Sequence, residues 1–260
     1  MPQPPGDADS RRLDGCSLTL VVPAHNEQEI IERSLRRFLG IGRGFVADHL
    51  IDRFMVVVVD DGSADDTLDI LCTMAEAEPE VVIVALEQNG GLGTALRAGF
   101  DRADTTHVVY TDADEPFDLT TIAPILRDLR NSPNTVYRAV RSSRRGSGPR
   151  RWAYSVGYQL LVRAAFGHDF YDVNFAGKIM PTAAVRGLGL QSRGSFIDAE
   201  MLARLAARNH RIETFEVEFQ PRVGGESTLS SPAVIRHMLS ELFRLRRSIR
   251  HPEPPSPADQ

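Results

Sequence analysis

The feature that most constrains the fold of this chain is an alternation of short apolar runs and helix-periodic segments along roughly its first 120 residues. Four runs rich in valine, leucine and isoleucine have the composition of buried strands. They lie at residues 17–22, 54–59, 81–86 and 107–111. This alternation predicts an α/β fold, an open, mostly parallel, doubly wound sheet with helices on both faces.

Local signals predict the first two helices of this half. In the first, Ile31 and Leu35 share one face with neighbouring apolar residues at three-to-four spacing. The second is expected over residues 64–77, with Ser63 and Asp65 as the N-capping signal. Each helix would cover the sheet between two consecutive strands.

After Pro133 the regular alternation stops. An Arg/Gly/Ser/Pro-rich segment, RSSRRGSGPRR, has the composition of a loop. The elements predicted here are strands over 135–140 and 211–219 and helices over 151–167, 197–208 and 231–247. We expect one domain over 17–250, between a disordered arm, 1–16, and a disordered tail, 251–260.

The charges divide unevenly along the chain. Residues 1–126 carry a net charge of −14, whereas residues 127–260 carry +9. We therefore expect the domain to consist of an acidic half, 17–126, able to hold a cation, and a basic half, 127–250, able to face phosphates or an anionic membrane. Ordinary solvated surface is the alternative.

Composition excludes several classes of protein. The longest apolar run, in FMVVVVD, is much shorter than the ~18 residues of a membrane helix. The N-terminal segment has no apolar stretch of the secretory kind, so we expect a cytoplasmic protein, peripheral at most on the cytoplasmic membrane face. Cys16 and Cys72 lack the spacing of a disulfide framework or a zinc site.

Polar residues follow each of the four strands in the acidic half. The segments are PAHNE after the first, DDGS after the second, EQNGG after the third and DAD after the fourth. Ligands of open parallel sheets bind outside the carboxyl ends of the strands. Because neighbouring carboxylates repel one another unless a cation or hydrogen-bond donors satisfy them, this edge is a candidate metal-assisted site.

The pair of carboxylates after the fourth strand is the sharpest element of that edge. Asp112 and Asp114, with Ala113 between them, can present oxygens to a hard divalent cation that holds the diphosphate of a nucleotide. The motif gains weight from the three other polar segments that accompany it.

Four motifs, VVPAHNE, VVVVDDGSADDT, NGGLGTALRAGF and YTDAD, occur in an order and spacing that resembles the family-2 glycosyltransferases of GT-A fold. The later DVNFAGK, GSFIDAEML and PRVGGES segments are similar to dolichyl-phosphate mannose synthases and bacterial polyprenyl-phosphate glycosyltransferases. The resemblance covers about residues 17–245. It implies inverting transfer of a sugar from a GDP- or UDP-linked donor to a dolichyl-type polyprenyl phosphate, with Mg²⁺ or Mn²⁺ as cofactor.

The resemblance also implies roles for the donor side. Pro23, Ala24 and Glu27 would line the nucleoside pocket. Asp61, with Asp60 beside it, would accept an N–H of the base, a role that suits a carboxylate.

Two further positions complete the expected diphosphate site. Asp114 would be the more direct metal ligand and Asp112 its neighbour at the diphosphate.

In NGGLGTALRAG the third glycine of a dinucleotide fingerprint is missing, which argues against a Rossmann dehydrogenase. A pyrophosphate contact from this loop, at Gly93, would use a backbone N–H.

The basic half supplies candidates for phosphate binding. Arg141 aligns with the family arginine after the fifth strand, and guanidinium groups suit phosphate oxygens. Lys178 is the only lysine of the chain, and one explanation is a contact with phosphate; chance is the other. Arg222 lies in a glycine-rich segment that could close over an anion or form a simple turn.

The acceptor determines whether a base is needed. A phosphate is already ionised at neutral pH, whereas a hydroxyl acceptor requires a general base. The resemblance makes Asp198 and Glu200 the candidates, since relatives that glycosylate hydroxyls have a carboxylate on this helix; stabilisation of the helix N-terminus is the alternative.

Several functions and partners stay open. A soluble hydroxyl acceptor, a sugar nucleotidylyltransferase and an inactive nucleotide-sugar-binding module are the alternatives to transfer onto polyprenyl phosphate. The apolar and arginine-rich helix over 234–249 could lie on an anionic membrane, bind a membrane-protein partner or pack into the core. We expect no nucleic-acid partner.

Overall fold

The residues that the structure describes form a seven-stranded sheet in strand order β3-β2-β1-β4-β6-β5-β7. The computed structural model describes residues 15–142, 149–167, 170–220 and 232–250. The strands are β1 Ser17–Ala24, β2 Arg53–Asp60, β3 Val81–Ala85, β4 His107–Tyr110, β5 Val136–Arg141, β6 Lys178–Pro181 and β7 Ile212–Val217. All pairs are parallel except the two that involve β6, which runs against β4 and β5. The predicted open, mostly parallel α/β sheet is confirmed.

Most of the helices lie between these strands in the chain, and the last helix follows β7. They are α1 Ile31–Ala47, α2 Thr67–Ala77, α3 Leu92–Arg102, α4 Ala123–Leu129, α5 Pro149–Phe166, α6 Thr182–Arg186, α7 Ile197–Ala207 and α8 Pro232–Arg250, with a 3₁₀ helix at Leu119–Ile122. Buried apolar side chains form two clusters on the sheet and a third among α5, α7 and α8.

The four apolar runs of the acidic half are the four adjacent strands at one side of the sheet. In β1, Leu20 pairs with Val56 of β2 on one side and with Val109 of β4 on the other, and all three side chains are fully buried. Strands covered on both faces carry continuous apolar sequence, which is why these runs were recognisable.

The second helix begins later than its predicted N-cap. Asp66 takes the N-cap position, and the Asp65 carboxylate accepts a hydrogen bond from the Thr67 backbone N–H at 3.0 Å. Ser63 does not cap the helix; its hydroxyl accepts the backbone N–H of Asn26 at 3.0 Å. The cap prediction was therefore wrong by one to three positions, because Ser63 joins two loops instead.

Strand β6 is an element that sequence patterning missed. It has only four residues, and it lies between β4 and β5 although it follows both along the chain. Its sequence, KIMP, begins with a lysine and ends with a proline, so it has neither the apolar run nor the periodicity that indicates a strand.

The predicted disordered arm and tail lie mostly outside the described residues, so the domain boundaries stay a prediction. Across the described part of the chain, none of the helices has the length and apolar character that spanning a membrane requires.

Candidate functional site

The carboxylate of Asp61 is fixed at the carboxyl end of the sheet. It is buried, and each of its oxygens accepts a backbone N–H of the loop after β3: Gly90 at 2.7 Å and Gly91 at 2.9 Å. Gly91 has a φ of 84°, a left-handed conformation that favours glycine. Since an oxygen of a carboxylate has two lone pairs, Asp61 keeps acceptor capacity for a further donor.

The loops that follow β1 and β2 are joined by hydrogen bonds. The Asp61 backbone N–H donates to the Ala24 carbonyl at 2.8 Å, and that of Glu27 to the Thr67 hydroxyl at 2.9 Å. The ring of His25 is hydrogen-bonded to the Asp61 carbonyl at 2.9 Å. Three of the four polar segments predicted at this edge are thus brought together.

The two residues that end β1 lie beside Asp60. Pro23 is half-buried and Ala24 is buried, and Ala24 pairs with Asp60 across the sheet. Asp60 itself is 1% exposed; one oxygen accepts the Ser63 backbone N–H at 3.2 Å, and the other, Oδ1, has no hydrogen-bond partner in the structure. A buried carboxylate oxygen without a donor is costly.

The turn after β4 presents Asp112 and Asp114, both half-buried, around the buried Ala113. The Glu115 backbone N–H donates to the Asp112 carbonyl at 3.2 Å, and Glu115 has a φ of 55°. The Glu115 carboxylate pairs with Arg37 of α1 at 2.8 Å, which fixes this turn to the body of the domain.

The donor set at this turn fits Mg²⁺ or Mn²⁺ bound together with substrate. Among the residues that the structure describes, no group of three or more His, Cys, Asp or Glu side chains is arranged as a metal site. Mg²⁺ is commonly held by one or two carboxylates plus substrate phosphates and water. Asp112 and Asp114 supply two carboxylates, with the remaining ligands left to the diphosphate.

The structure contradicts the expected pyrophosphate contact of Gly93. Its backbone N–H donates to the Arg193 carbonyl at 2.7 Å, and the N–H groups of Gly90 and Gly91 are held by Asp61. All three backbone N–H groups thus donate to acceptors within the protein. The loop orients Asp61 instead of cradling a phosphate.

Lys178 also differs from its predicted role. It is 1% exposed, and its ammonium donates to the Tyr110 hydroxyl at 3.0 Å, the Phe175 carbonyl at 2.7 Å and Asp198 at 2.7 Å. Burial lowers the pKa of Lys178, while the Asp198 carboxylate opposes that shift. All three N–H groups are used, so Lys178 is not positioned to contact a phosphate as the sequence suggested.

The two candidate bases, Asp198 and Glu200, are also held by buried hydrogen bonds and ion pairs. Asp198 also accepts a hydrogen bond from Tyr110, and burial, reinforced by Asp198, raises the pKa of that hydroxyl. Glu200 is fully buried, accepts the backbone N–H of Ser192 at 2.8 Å and pairs with Arg204 at 2.8 Å. Neither carboxylate is placed as a solvent-accessible base, and that prediction is corrected.

Arg141 lies at the end of β5 with its guanidinium held in place. Its Nε donates to Asp172 at 2.8 Å and its Nη2 at 2.5 Å, and these hydrogen bonds raise the pKa of Arg141. The guanidinium carbon lies 5.5 Å from the ring centroids of Phe175 and Phe219. Since Nε and Nη2 serve Asp172, the remaining edge of this 17% exposed side chain is the part suited to an anion.

Sequence reasoning missed two residues of this corner. Asp172 has a φ of 56° and fixes Arg141, and Phe219 is 38% exposed next to it. Asp172 lies in the DVNFAGK motif, but nothing in that pattern pairs it with Arg141. Arg222 lies outside the described residues, as do the side chains of Arg144, Arg145, Arg150 and Arg151.

The seven-stranded sheet, with polar side chains at its carboxyl edge, defines an α/β protein, and sequence comparison gives its family. The family model for glycosyl transferase family 2 matches residues 19–186, and the chain belongs to this family. The prediction of a family-2 glycosyltransferase is confirmed.

Two relatives of assigned function are similar over most of this chain. An undecaprenyl-phosphate 4-deoxy-4-formamido-L-arabinose transferase of Pseudomonas syringae is 32% identical over 226 residues, 85% of this chain and 63% of its own length. Glycosyltransferase AglD of Haloferax volcanii is 26% identical over 235 residues, 88% of this chain and 37% of its own length. The chain therefore spans under two thirds of these relatives.

Solved structures share the fold. Glucosyl-3-phosphoglycerate synthase from Mycobacterium tuberculosis, in complex with Mn²⁺, UDP-glucose and phosphoglyceric acid, has a TM-score of 0.65 at 18% identity over 89% of this chain and 80% of its own. Mannosyl-3-phosphoglycerate synthase from Rubrobacter xylanophilus has a TM-score of 0.65 at 13% identity, over 93% of this chain and 78% of its own.

Proposed function

We propose that this chain transfers a sugar from a GDP- or UDP-linked donor to a polyprenyl phosphate, with inversion at the anomeric carbon. Family membership supports the transfer, and the name of the Pseudomonas relative supports the polyprenyl acceptor. The observation that carries the proposal is the carboxylate of Asp61, buried and oriented by two backbone N–H groups at the ligand-binding edge of the sheet.

The donor would bind with its base toward Asp61 and Asp60. The remaining lone pairs of Asp61 can accept imide or guanine N–H groups. Pro23, Ala24 and Glu27 would form the adjoining wall. Since contacts of this kind suit both uracil and guanine, they leave the base undecided between UDP and GDP.

Asp112 and Asp114 would hold Mg²⁺ or Mn²⁺ together with the donor diphosphate. The bound cation would stabilise the charge that develops on the departing nucleoside diphosphate. The salt bridge between Glu115 and Arg37 fixes the turn that carries both carboxylates. The M. tuberculosis synthase was crystallised with Mn²⁺ and UDP-glucose, which supports a divalent cation here.

The fixed Arg141 favours a phosphate as the acceptor. Its guanidinium can bind an acceptor or donor phosphate oxygen, and an ionised phosphate attacks the anomeric carbon without a general base. A hydroxyl acceptor would need such a base, and both candidates, Asp198 and Glu200, are committed to buried contacts. A single displacement inverts the anomeric configuration.

We also propose that the protein works at the cytoplasmic face of a membrane, where a lipid phosphate would be found. The outward side of α8 exposes Arg236, Arg244, Arg246 and Arg247, and Phe243 among them is 68% exposed. An aromatic residue among arginines is the composition of a surface that binds anionic lipid.

The donor and acceptor are tested together by incubating the protein and Mg²⁺ or Mn²⁺ with GDP- and UDP-sugars, with and without a short polyprenyl phosphate. We expect a sugar-phosphate-lipid product, identified by mass, only when both substrates are present. A product formed with a soluble hydroxyl acceptor instead would overturn the polyprenyl assignment.

Asp61→Asn tests the donor pocket. An amide nitrogen cannot accept the N–H groups that the carboxylate accepts, so we expect donor affinity to fall by roughly tenfold or more. Asp69→Asn, an exposed position of α2, makes the same charge change away from the site. Calorimetry with the nucleoside diphosphate and Mn²⁺ measures both variants, and equal affinities would contradict the proposed pocket.

A further inference from the structure

Three successive backbone N–H groups of the segment before α7 are held by two buried carboxylates from different helices. Those of Gln191 and Ser192 donate to Glu200 of α7, at 3.0 and 2.8 Å, and that of Arg193 donates to Glu241 of α8 at 2.9 Å. We call residues 191–193 the anchor segment. The carbonyls of Ser192 and Arg193 accept hydrogen bonds from a different part of the protein.

Those carbonyls face the glycine loop, residues 90–93. The Ser192 carbonyl accepts a hydrogen bond from Arg97, and the Arg193 carbonyl accepts the Gly93 backbone N–H at 2.7 Å. A Cβ added to Gly93 would lie 2.3 Å from the Ser192 carbonyl oxygen. The anchor segment is therefore in direct contact with the glycine loop, with no room for a side chain between them.

The glycine loop in turn holds Asp61 through the amides of Gly90 and Gly91. A continuous set of hydrogen bonds thus runs from a carboxylate on α8, through the anchor segment, to the carboxylate proposed to receive the donor base. Each link joins parts of the chain that are far apart in sequence, and the bond between Arg193 and Glu241 spans 48 residues.

The position of Glu241 is unfavourable for a carboxylate unless its hydrogen bond to the Arg193 N–H has a function. It is 3% exposed on the inward side of α8, next to the buried apolar Leu242 and Leu245. Its other polar neighbours are the ring of His237 at 3.5 Å and the guanidinium of Arg244 at 3.6 Å, both largely exposed. An apolar side chain would be cheaper at a position used only for packing, since burying a carboxylate costs free energy.

We infer that Glu241 is a positioning residue for the donor pocket: the C-terminal helix, through Glu241, sets the place of the glycine loop and so the orientation of Asp61. This inference rests on the proposed function for its effect on donor binding. Helix α8 would thus influence the donor site without touching it, since the anchor segment and the glycine loop lie between them.

The test compares Glu241→Leu with Glu241→Gln. Leucine removes the acceptor for the Arg193 N–H, so we expect donor KM and the dissociation constant of the nucleoside diphosphate to rise roughly tenfold, with kcat at saturating donor changed less than about twofold. Glutamine keeps an acceptor oxygen and should restore most of the affinity. The matched control is Leu242→Ala, which weakens packing of the same helix but leaves the hydrogen bond.

Hydrogen exchange provides a readout that needs no substrate. We expect the amides of Gly90, Gly91 and Gly93 to exchange faster in Glu241→Leu than in the wild type. In Leu242→Ala they should exchange no faster than the change in global stability explains. Equal acceleration in both variants would show a merely structural role and overturn the inference.

The two assays also separate this inference from the proposed function. A wild type that binds no sugar nucleotide refutes the proposed function, whereas the exchange rates still decide whether Glu241 positions the loop. A wild type that binds donor no better than Glu241→Leu does, with active transfer in both, refutes the inference alone.

Discussion

Lys178 and Asp198 neutralise each other inside the protein, directly beneath the end of β4. The ammonium has three acceptors, and the carboxylate takes hydrogen bonds from both Lys178 and Tyr110. Because Tyr110 is the last residue of β4, this pair fixes the point from which the turn with Asp112 and Asp114 begins. Its role is to support the site.

Lys178→Met should therefore destabilise the protein strongly. Removal of one partner leaves the Asp198 charge buried and unpaired, which costs about 3–5 kcal/mol in the free energy of unfolding. Urea denaturation measures this loss. The double variant Lys178→Met/Asp198→Leu removes both charges, and we expect it to recover part of the stability; a double variant as unstable as the single one would contradict this account.

The roles of individual charged residues could be predicted only where position along a strand determines exposure. Asp61 directly follows β2, so its place at the binding edge was predictable from the pattern. Lys178 and Glu200 belong to elements whose burial depends on how α7 and β6 pack, and a single sequence does not specify that packing. Their charges suggested chemistry that their burial rules out.

The glycine loop shows how closely α3 approaches the segment before α7. Gly93 is the second residue of α3, with its amide on the Arg193 carbonyl. Gly40 lies in the middle of α1, exposed, and a Cβ added there would meet nothing within 4 Å. The two helical glycines therefore differ in what surrounds them.

Gly93→Ala and Gly40→Ala should have opposite effects on stability. At Gly93 the methyl group would collide with the Ser192 carbonyl, and we expect a loss of about 1–3 kcal/mol together with weaker nucleotide binding. At Gly40 alanine should stabilise the exposed helix by about 0.5–1 kcal/mol. Urea denaturation measures the stability of both variants, and calorimetry measures their nucleotide binding. If Gly93→Ala had no effect, the anchor segment would be able to move away from the added methyl group.

Length alone did not decide which elements were predictable: β4, with four residues, belongs to a recognised apolar run, whereas β6 and α6 do not. The four parallel strands of the acidic half and helices α2, α5, α7 and α8 agree with the pattern to within a few residues. Strand β6, with four residues, and helix α6, with five, carry too few positions for a period to show.

The exposed face of α8 gives the whole molecule a basic side. If that side binds a membrane, the protein should bind vesicles containing about 30% anionic phospholipid more strongly than neutral phosphatidylcholine vesicles, and binding should weaken in 0.5 M salt by screening. Arg247→Glu and Phe243→Ser should each weaken sedimentation with the anionic vesicles.

Arg36→Glu is the control for that experiment. It makes the same charge change on α1, where Arg36 is exposed and pairs with Glu32. Equal losses for Arg36→Glu and Arg247→Glu would indicate a general charge effect and contradict a docking role for α8.

The late position of β6 in the chain has a consequence for synthesis on the ribosome. Strands β4 and β5 are not neighbours, and only β6 bonds to both. Until residue 181 has left the exit tunnel, β1 to β4 can form only a four-stranded fragment with an open edge at β4, and β5 has no partner, because β7 follows later still. The two parts of the sheet, which are synthesised at different times, are therefore joined through β4 and β6, the two shortest of the described strands.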